Sequence, residues 1–190
     1  YAFAADYIRL YALYHHGGIY LDSDVEILKS LDNFLELPYF VGAETSGTIE
    51  AAILGAEKGC DWIKCCLDYY EGRNFIREDG SYDIRMLPEI LNETILRLKP
   101  VINMPSGSNI DDLKKKDLGE AGYLLPKEYF SPKVFDSREV FLTPETHAIH
   151  HYQNSWFSHK AFAYYRTRTL FIKIFGYKAV RSLEKMLLKR

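Results

Sequence analysis

Two carboxylates with one small residue between them close a short apolar run in this sequence: residues 17–26 read GGIYLDSDVE. A β-strand alternates its faces, so Asp22 and Asp24 would share one side if the strand simply continued. Carboxylates held side by side repel each other and are costly to desolvate, so the fold must supply something that offsets the cost. A divalent cation is the simplest candidate. Mg2+ or Mn2+ prefers carboxylate oxygen and keeps positions open for the oxygens of a diphosphate. Asp-x-Asp alone arises often by chance, and its surroundings decide how it is read.

Residues 2–16 have the spacing of a helix, with Ile8, Leu10, Leu13 and Tyr14 on its apolar side and Gly17-Gly18 as its C-terminal stop. Residues 19–21 form a short strand entering the Asp pair, and residues 25–28 continue extended. A turn or short helix over 30–37 is closed by Pro38, and residues 39–42 read as a further strand. Residues 48–59 and 61–71 are helical by period, separated at Gly59. Another helix lies within 83–98, starting beyond Pro88, and residues 104–122 have the Gly and charge content of a loop. Residues 123–126 and 147–150 are strand candidates, and the chain is helical from about 160. Strands alternating with helices predict an α/β fold. Without an internal repeat or linker, the 190 residues fit one domain: a body over 1–165 and a helical tail over 166–190.

Charge is unevenly spread along this domain. The tail carries eight Lys or Arg against Glu184 alone, whereas the whole chain has a net charge of −2, so the body is acidic. An acidic body without a basic face or a readable motif argues against nucleic acid as a partner. Leu170, Phe171, Ile174, Phe175, Tyr177, Val180, Leu183, Met186 and Leu187 fall among the tail's basic residues as an approximate helical stripe broken at Gly176. That pattern suits a helix lying on an anionic membrane, and equally one packed on its own domain. No apolar stretch approaches the ~20 residues that cross a bilayer. Residues 1–18 lack the basic n-region and cleavage site of a signal peptide. Cys60, Cys65 and Cys66 are odd in number and close together, which predicts reduced thiols in a cytosolic protein.

The segment AADYIRLYALYHHGGIYLDSDVEIL closely resembles the D-x-x-R…L…GG-x-Y-x-D-x-D signature of the sugar-transferase family with a DXD motif. A second block, HAIHHYQNSW at 147–156, is similar to that family's later H-x-x-x-x-S-W element. The resemblance implies a GT-A-like fold, with a mixed, mainly parallel sheet between helices that binds a nucleotide sugar and Mn2+ or Mg2+. It also implies transfer with retention of anomeric configuration, from a nucleotide-diphosphate sugar to a glycan or lipid-linked saccharide. Carried over by position, Asp22 and Asp24 hold the metal and the diphosphate, and His150 completes the site, with His151 as the alternative. Asp6 and Arg9 face the donor, Tyr20 lines its pocket, and Ser155 and Trp156 close over the phosphates. Members of the family carry a further N-terminal stretch with the first nucleotide-binding strand. This sequence opens inside the helix before the Asp pair, so the GT-A-like domain is expected to be incomplete at its N-terminus.

Taken singly, each feature has an ordinary explanation. An Asp–Arg pair one helical turn apart is usually a surface ion pair, a lone inward His is usually a core residue, and Trp156 fits a core. Their joint occurrence ahead of one strand favours the transferase. Two other readings remain open. IYLDSDV also fits the nucleophile strand of a haloacid dehalogenase-type phosphotransferase, although Asp111-Asp112 sits in a polar loop without a preceding strand. The third reading is a non-catalytic, metal-dependent carbohydrate-binding module.

Overall fold

The computed structural model describes residues 2–44, 47–98, 101–115, 122–135, 138–153 and 159–187. Helix α1 spans Ala2–His16 and buries Leu10 and Leu13. Gly17 stops it: at φ +69° its amide donates to the Leu13 carbonyl at 2.8 Å. A Cβ on Gly17 would also lie 2.7 Å from the Lys58 nitrogen, so both conformation and space demand glycine. Strand β1 (Gly18–Leu21) leads into the Asp pair and β2 (Val25–Ile27) leaves it. After a single 3-10 turn at Asp32–Phe34 come β3 (Tyr39–Ala43) and β4 (Ile49–Ala56). Helices α2 (Asp61–Asp68) and α3 (Leu87–Leu98) follow, then β5 (Val101–Asn103), α4 (Ile110–Lys115) and β6 (Gly122–Leu124). Strand β7 (Ala148–His150) precedes the long helix α5 (His159–Phe175) and α6 (Tyr177–Leu187).

Strand β4 is the centre. It pairs antiparallel with β1, Tyr20 opposite Leu54, and with β3, Val41 opposite the same Leu54. Leu125, just past β6, donates to the Val41 carbonyl at 2.9 Å and accepts from the Ala43 amide at 2.8 Å, tying β6 alongside β3 in parallel. Strand β5 then adds parallel to β6. The protein is thus mixed α/β, but its sheets are mostly antiparallel rather than mainly parallel, because hairpin-scale connections such as that between β3 and β4 can only join antiparallel neighbours.

Three further expectations are corrected. Residues 48–59 are not a helix: β4 occupies 49–56 and all eight of its residues are buried. A strand covered on both faces shows a continuous apolar run instead of alternation. Helix α3 begins at Leu87, with Pro88 inside its first turn, where a missing N–H leaves no hydrogen bond unmade. The stretch read as a loop over 104–122 also contains α4.

Alternation along β3 separates two packed layers. Tyr39 faces Trp62 of α2, ring centroids 5.8 Å apart, on the side covered by α1, α2 and α3. Phe40 faces the other way, into Phe34 at 5.1 Å and Phe130 at 5.6 Å. Strand β2 pairs antiparallel with β7, placing Val25 opposite His150. Helices α5 and α6 fold back on each other about Gly176, with Ile172 and Val180 buried between them and Arg168 Nε 2.6 Å from Glu184 Oε1. A T-shaped contact between Phe135 and Tyr165 joins α5 to the rest of the chain. No helix among the described residues is long and apolar enough to cross a membrane.

Candidate functional site

The Asp pair sits in a turn, not on a continuing strand. The Asp22 amide extends the β1–β4 ladder to the Ala52 carbonyl at 2.8 Å, and the Val25 amide closes the turn onto the Asp22 carbonyl at 3.1 Å. Asp24 is held against the end of β7: its carbonyl accepts from the His151 amide at 3.0 Å and its Oδ2 from the Gln153 amide at 2.8 Å. The turn thereby delivers both carboxylates to one place, which strand alternation would also have done by a different route. One ligand atom each from Asp22, Asp24 and His150 lies within 4.8 Å of the others. Two carboxylates and an imidazole, all half-buried, fit a divalent cation such as Mn2+ or Mg2+.

Behind Asp22 stands a buried charge cluster. Arg9 on α1 is 8% exposed. Its NH2 lies 3.2 Å from Asp6 Oδ1, and its NH1 lies 3.3 Å from Asp22 Oδ1 and donates to the Ala51 carbonyl at 2.8 Å. The guanidinium carbon lies 4.6 Å from the centroid of the Tyr20 ring, and the Tyr20 hydroxyl donates to Asp22 Oδ1 at 2.6 Å. Asp6 and Arg9 are therefore not a surface ion pair. Burial raises the Asp6 carboxyl to about 6; Arg9 opposes the rise and Asp22 adds to it. Burial and the bond to Asp22 also hold the Tyr20 hydroxyl well above the phenolic range.

Of the two histidines, His150 joins the Asp pair. Its Nε2 lies 3.5 Å from Asp24 Oδ2. His151 points to the other side of β7, with Nε2 2.8 Å from Glu26 Oε2 and Nδ1 3.3 Å from Lys133 Nζ. Ser155 and Trp156 lie outside the described residues.

Glu50, on β4, was not legible as a site residue. It is 3% exposed and 3.1 Å from His150 Nδ1. Its Oε1 accepts from the Ala52 amide at 2.9 Å, and its Oε2 also takes the hydroxyls of Ser131 and, at 3.3 Å, Tyr152. Burial alone would raise this carboxyl; the hydrogen bond and charge of His150, helped by Ser131 and Ala52, reverse the sign and hold it below the usual range. Burial would lower His150, but Glu50, then Asp24 and Asp22, raise it above the ordinary value. The one available signal was an acidic residue inside the otherwise apolar run IEAAILGA, and reading that run as a helix concealed it.

Residues 1–41 match the family described as a glycosyltransferase sugar-binding region containing a DXD motif. The chain is similar to inositol phosphoceramide mannosyltransferase 3 of Schizosaccharomyces pombe, 40% identical over 55 residues, which is 29% of this chain and 15% of that protein. It is also similar to glucan organizing enzyme 1 of Cryptococcus neoformans var. grubii, 38% identical over 63 residues, 33% of this chain and 17% of that one. A third relative, an uncharacterised protein of Arabidopsis thaliana, is 33% identical over 66 residues, 35% of this chain and 10% of its own length. The chain thus spans 10–17% of the length of these relatives. No solved structure matches.

Proposed function

We propose that this chain, whose residues 1–41 match the DXD-containing sugar-binding region of glycosyltransferases, is part of a metal-dependent retaining enzyme. It would move a hexose from a nucleotide-diphosphate sugar to a hydroxyl of a glycan or lipid-linked saccharide. The observation that carries the reading is the meeting of Asp22, Asp24 and His150 in front of the buried Arg9. A mannosyltransferase among the similar proteins supports a hexose donor. The GT-A-like arrangement rests on the family resemblance; the sheet centred on β4 is antiparallel, with a parallel bridge from β3 to the residue after β6.

Asp22, Asp24 and His150 would hold Mn2+ or Mg2+, which when bound offsets the charge that develops on a departing diphosphate. Arg9 adds a fixed positive charge behind Asp22, oriented by Asp6 and the Ala51 carbonyl before any ligand arrives. The second oxygen of Asp6 can accept from a sugar hydroxyl, and Tyr20 contributes a ring and a hydroxyl at the same wall. Ser155 and Trp156 would close over the phosphates, as the family resemblance implies. The chain would work in the cytoplasm, with the α5–α6 hairpin touching the anionic inner face of a membrane that carries the acceptor.

The test is donor hydrolysis by the full-length protein with and without Mn2+. Asp22→Asn and Asp24→Asn should each lower the metal-dependent rate by at least about a hundredfold, as expected when a group that neutralises a leaving charge is removed. Turnover that survives both substitutions overturns the reading.

A further inference from the structure

Glu50 is a carboxylate near the start of the central strand, on a run where every neighbour is buried. An isolated charge there is costly, and its four partners explain why it persists. Ala52 N–H, Ser131 O–H and Tyr152 O–H all donate to it, and none of the three belongs to the Asp pair or the Arg9 cluster. The fourth partner is His150 Nδ1 at 3.1 Å. These contacts come from β4 itself, from the segment after the 3-10 turn at Lys127–Tyr129, and from the end of β7 with the residues just after it. Three separate pieces of chain are thus pinned to one side chain.

The consequence falls on the imidazole. In the neutral ring a carboxylate acceptor beside Nδ1 keeps the proton on Nδ1, which leaves Nε2, the nitrogen 3.5 Å from Asp24 Oδ2, with its lone pair toward the Asp pair. We propose that Glu50 is a positioning residue that fixes the tautomer and ring orientation of His150, so that Nε2 is presented as a ligand beside Asp22 and Asp24. The inference rests on the metal-binding reading of that cluster. Ser131 and Tyr152 hold the carboxylate in its turn, and the Tyr152 ring lies 4.0 Å from that of His150, restricting its rotation.

The experiment uses the full-length protein and has two arms. In the first, Mn2+ affinity is measured calorimetrically for the wild type, Glu50→Gln, His150→Ala and the double variant. Loss of an outer partner of a ligating histidine weakens binding by about 10–100-fold, so Glu50→Gln should fall in that range. In the His150→Ala background the same substitution should change little. Unaltered affinity in Glu50→Gln, or an equal loss with and without His150, overturns the proposal. The second arm needs no variant: the nitrogen resonances of His150 are followed with rising pH in metal-free protein and the tautomer is read once the ring has become neutral. Protonated Nδ1 with bare Nε2 supports the proposal, and the opposite tautomer overturns it even where Glu50→Gln does not fold. A wild type that binds no Mn2+ yet shows the Nδ1–H tautomer sinks the metal reading and leaves the orienting role of Glu50 standing.

Discussion

Asp6 binds its proton more tightly in the folded chain than in water, since burial raises its carboxyl from 3.8 to about 6. The sign of its effect on stability follows. Between those two values the native state holds more protons than the unfolded one, so unfolding free energy falls as pH rises. The contribution is fully present below about pH 4 and is lost as pH passes through about 6. Asp6→Asn cannot ionise, so it should gain on the wild type over that interval, by an amount of order 2–3 kcal/mol at neutral pH. Urea unfolding of both proteins at acidic and neutral pH reads this directly, and parallel profiles would contradict it. The lesson at this scale is that Asp6, Arg9, Tyr20, Asp22, Asp24 and His150 could be named from sequence because their spacing is local to two short blocks. Glu50 could not, because its partner His150 is 100 residues away and only the pairing of distant strands makes them neighbours.

At the scale of elements, the strand β4 is where sequence and structure part. Its run IEAAILGA has two adjacent alanines and no polar alternation, so a helical period and a doubly covered strand are indistinguishable in it. Helix α1 and strand β1 were legible because a Gly-Gly stop and a change of period mark the boundary between them. A single substitution separates the two readings of β4 by sign. In a helix, Gly55→Ala stabilises by up to about 1 kcal/mol, because alanine loses less backbone freedom on folding. In the strand, Gly55 is the cross-strand partner of Phe40, and an added Cβ would come within 2.0 Å of that ring. Phe40 is 2% exposed and wedged against Phe34 and Phe130, so it has nowhere to go. Gly55→Ala should therefore destabilise by roughly 1–3 kcal/mol. Phe40→Leu in the same background should recover part of the loss, which a chemical-denaturation cycle measures. A stabilised Gly55→Ala variant would mean that the β3–β4 register is wrong.

On the scale of the whole molecule, the last two described helices, α5 and α6, pack on each other and expose several apolar side chains. Leu170, Phe171, Ile174 and Phe175 are exposed along α5, and Leu183 and Met186 along α6. Arg166, Lys173, Lys178 and Arg181 stand exposed beside them. An apolar stripe flanked by cations has a natural counterpart in an anionic bilayer surface, with the stripe at the acyl boundary and the basic stems reaching outward. Four such cations supply roughly 4 kcal/mol at low ionic strength. Physiological salt confines that attraction to about 8 Å, so charge alone holds the chain only loosely and the apolar stripe must contribute. The full-length protein should therefore co-sediment with vesicles containing phosphatidylserine and much less with phosphatidylcholine alone. Raising the salt should weaken the interaction several-fold. Leu170→Glu with Ile174→Glu should remove it while leaving the unfolding midpoint in place, since both side chains are more than half exposed. A wild type that ignores anionic vesicles, or a double variant that still binds them, removes the membrane from the account. A double variant that unfolds would instead show that the stripe is covered by protein, and the acceptor would then have to reach the Asp pair from solution.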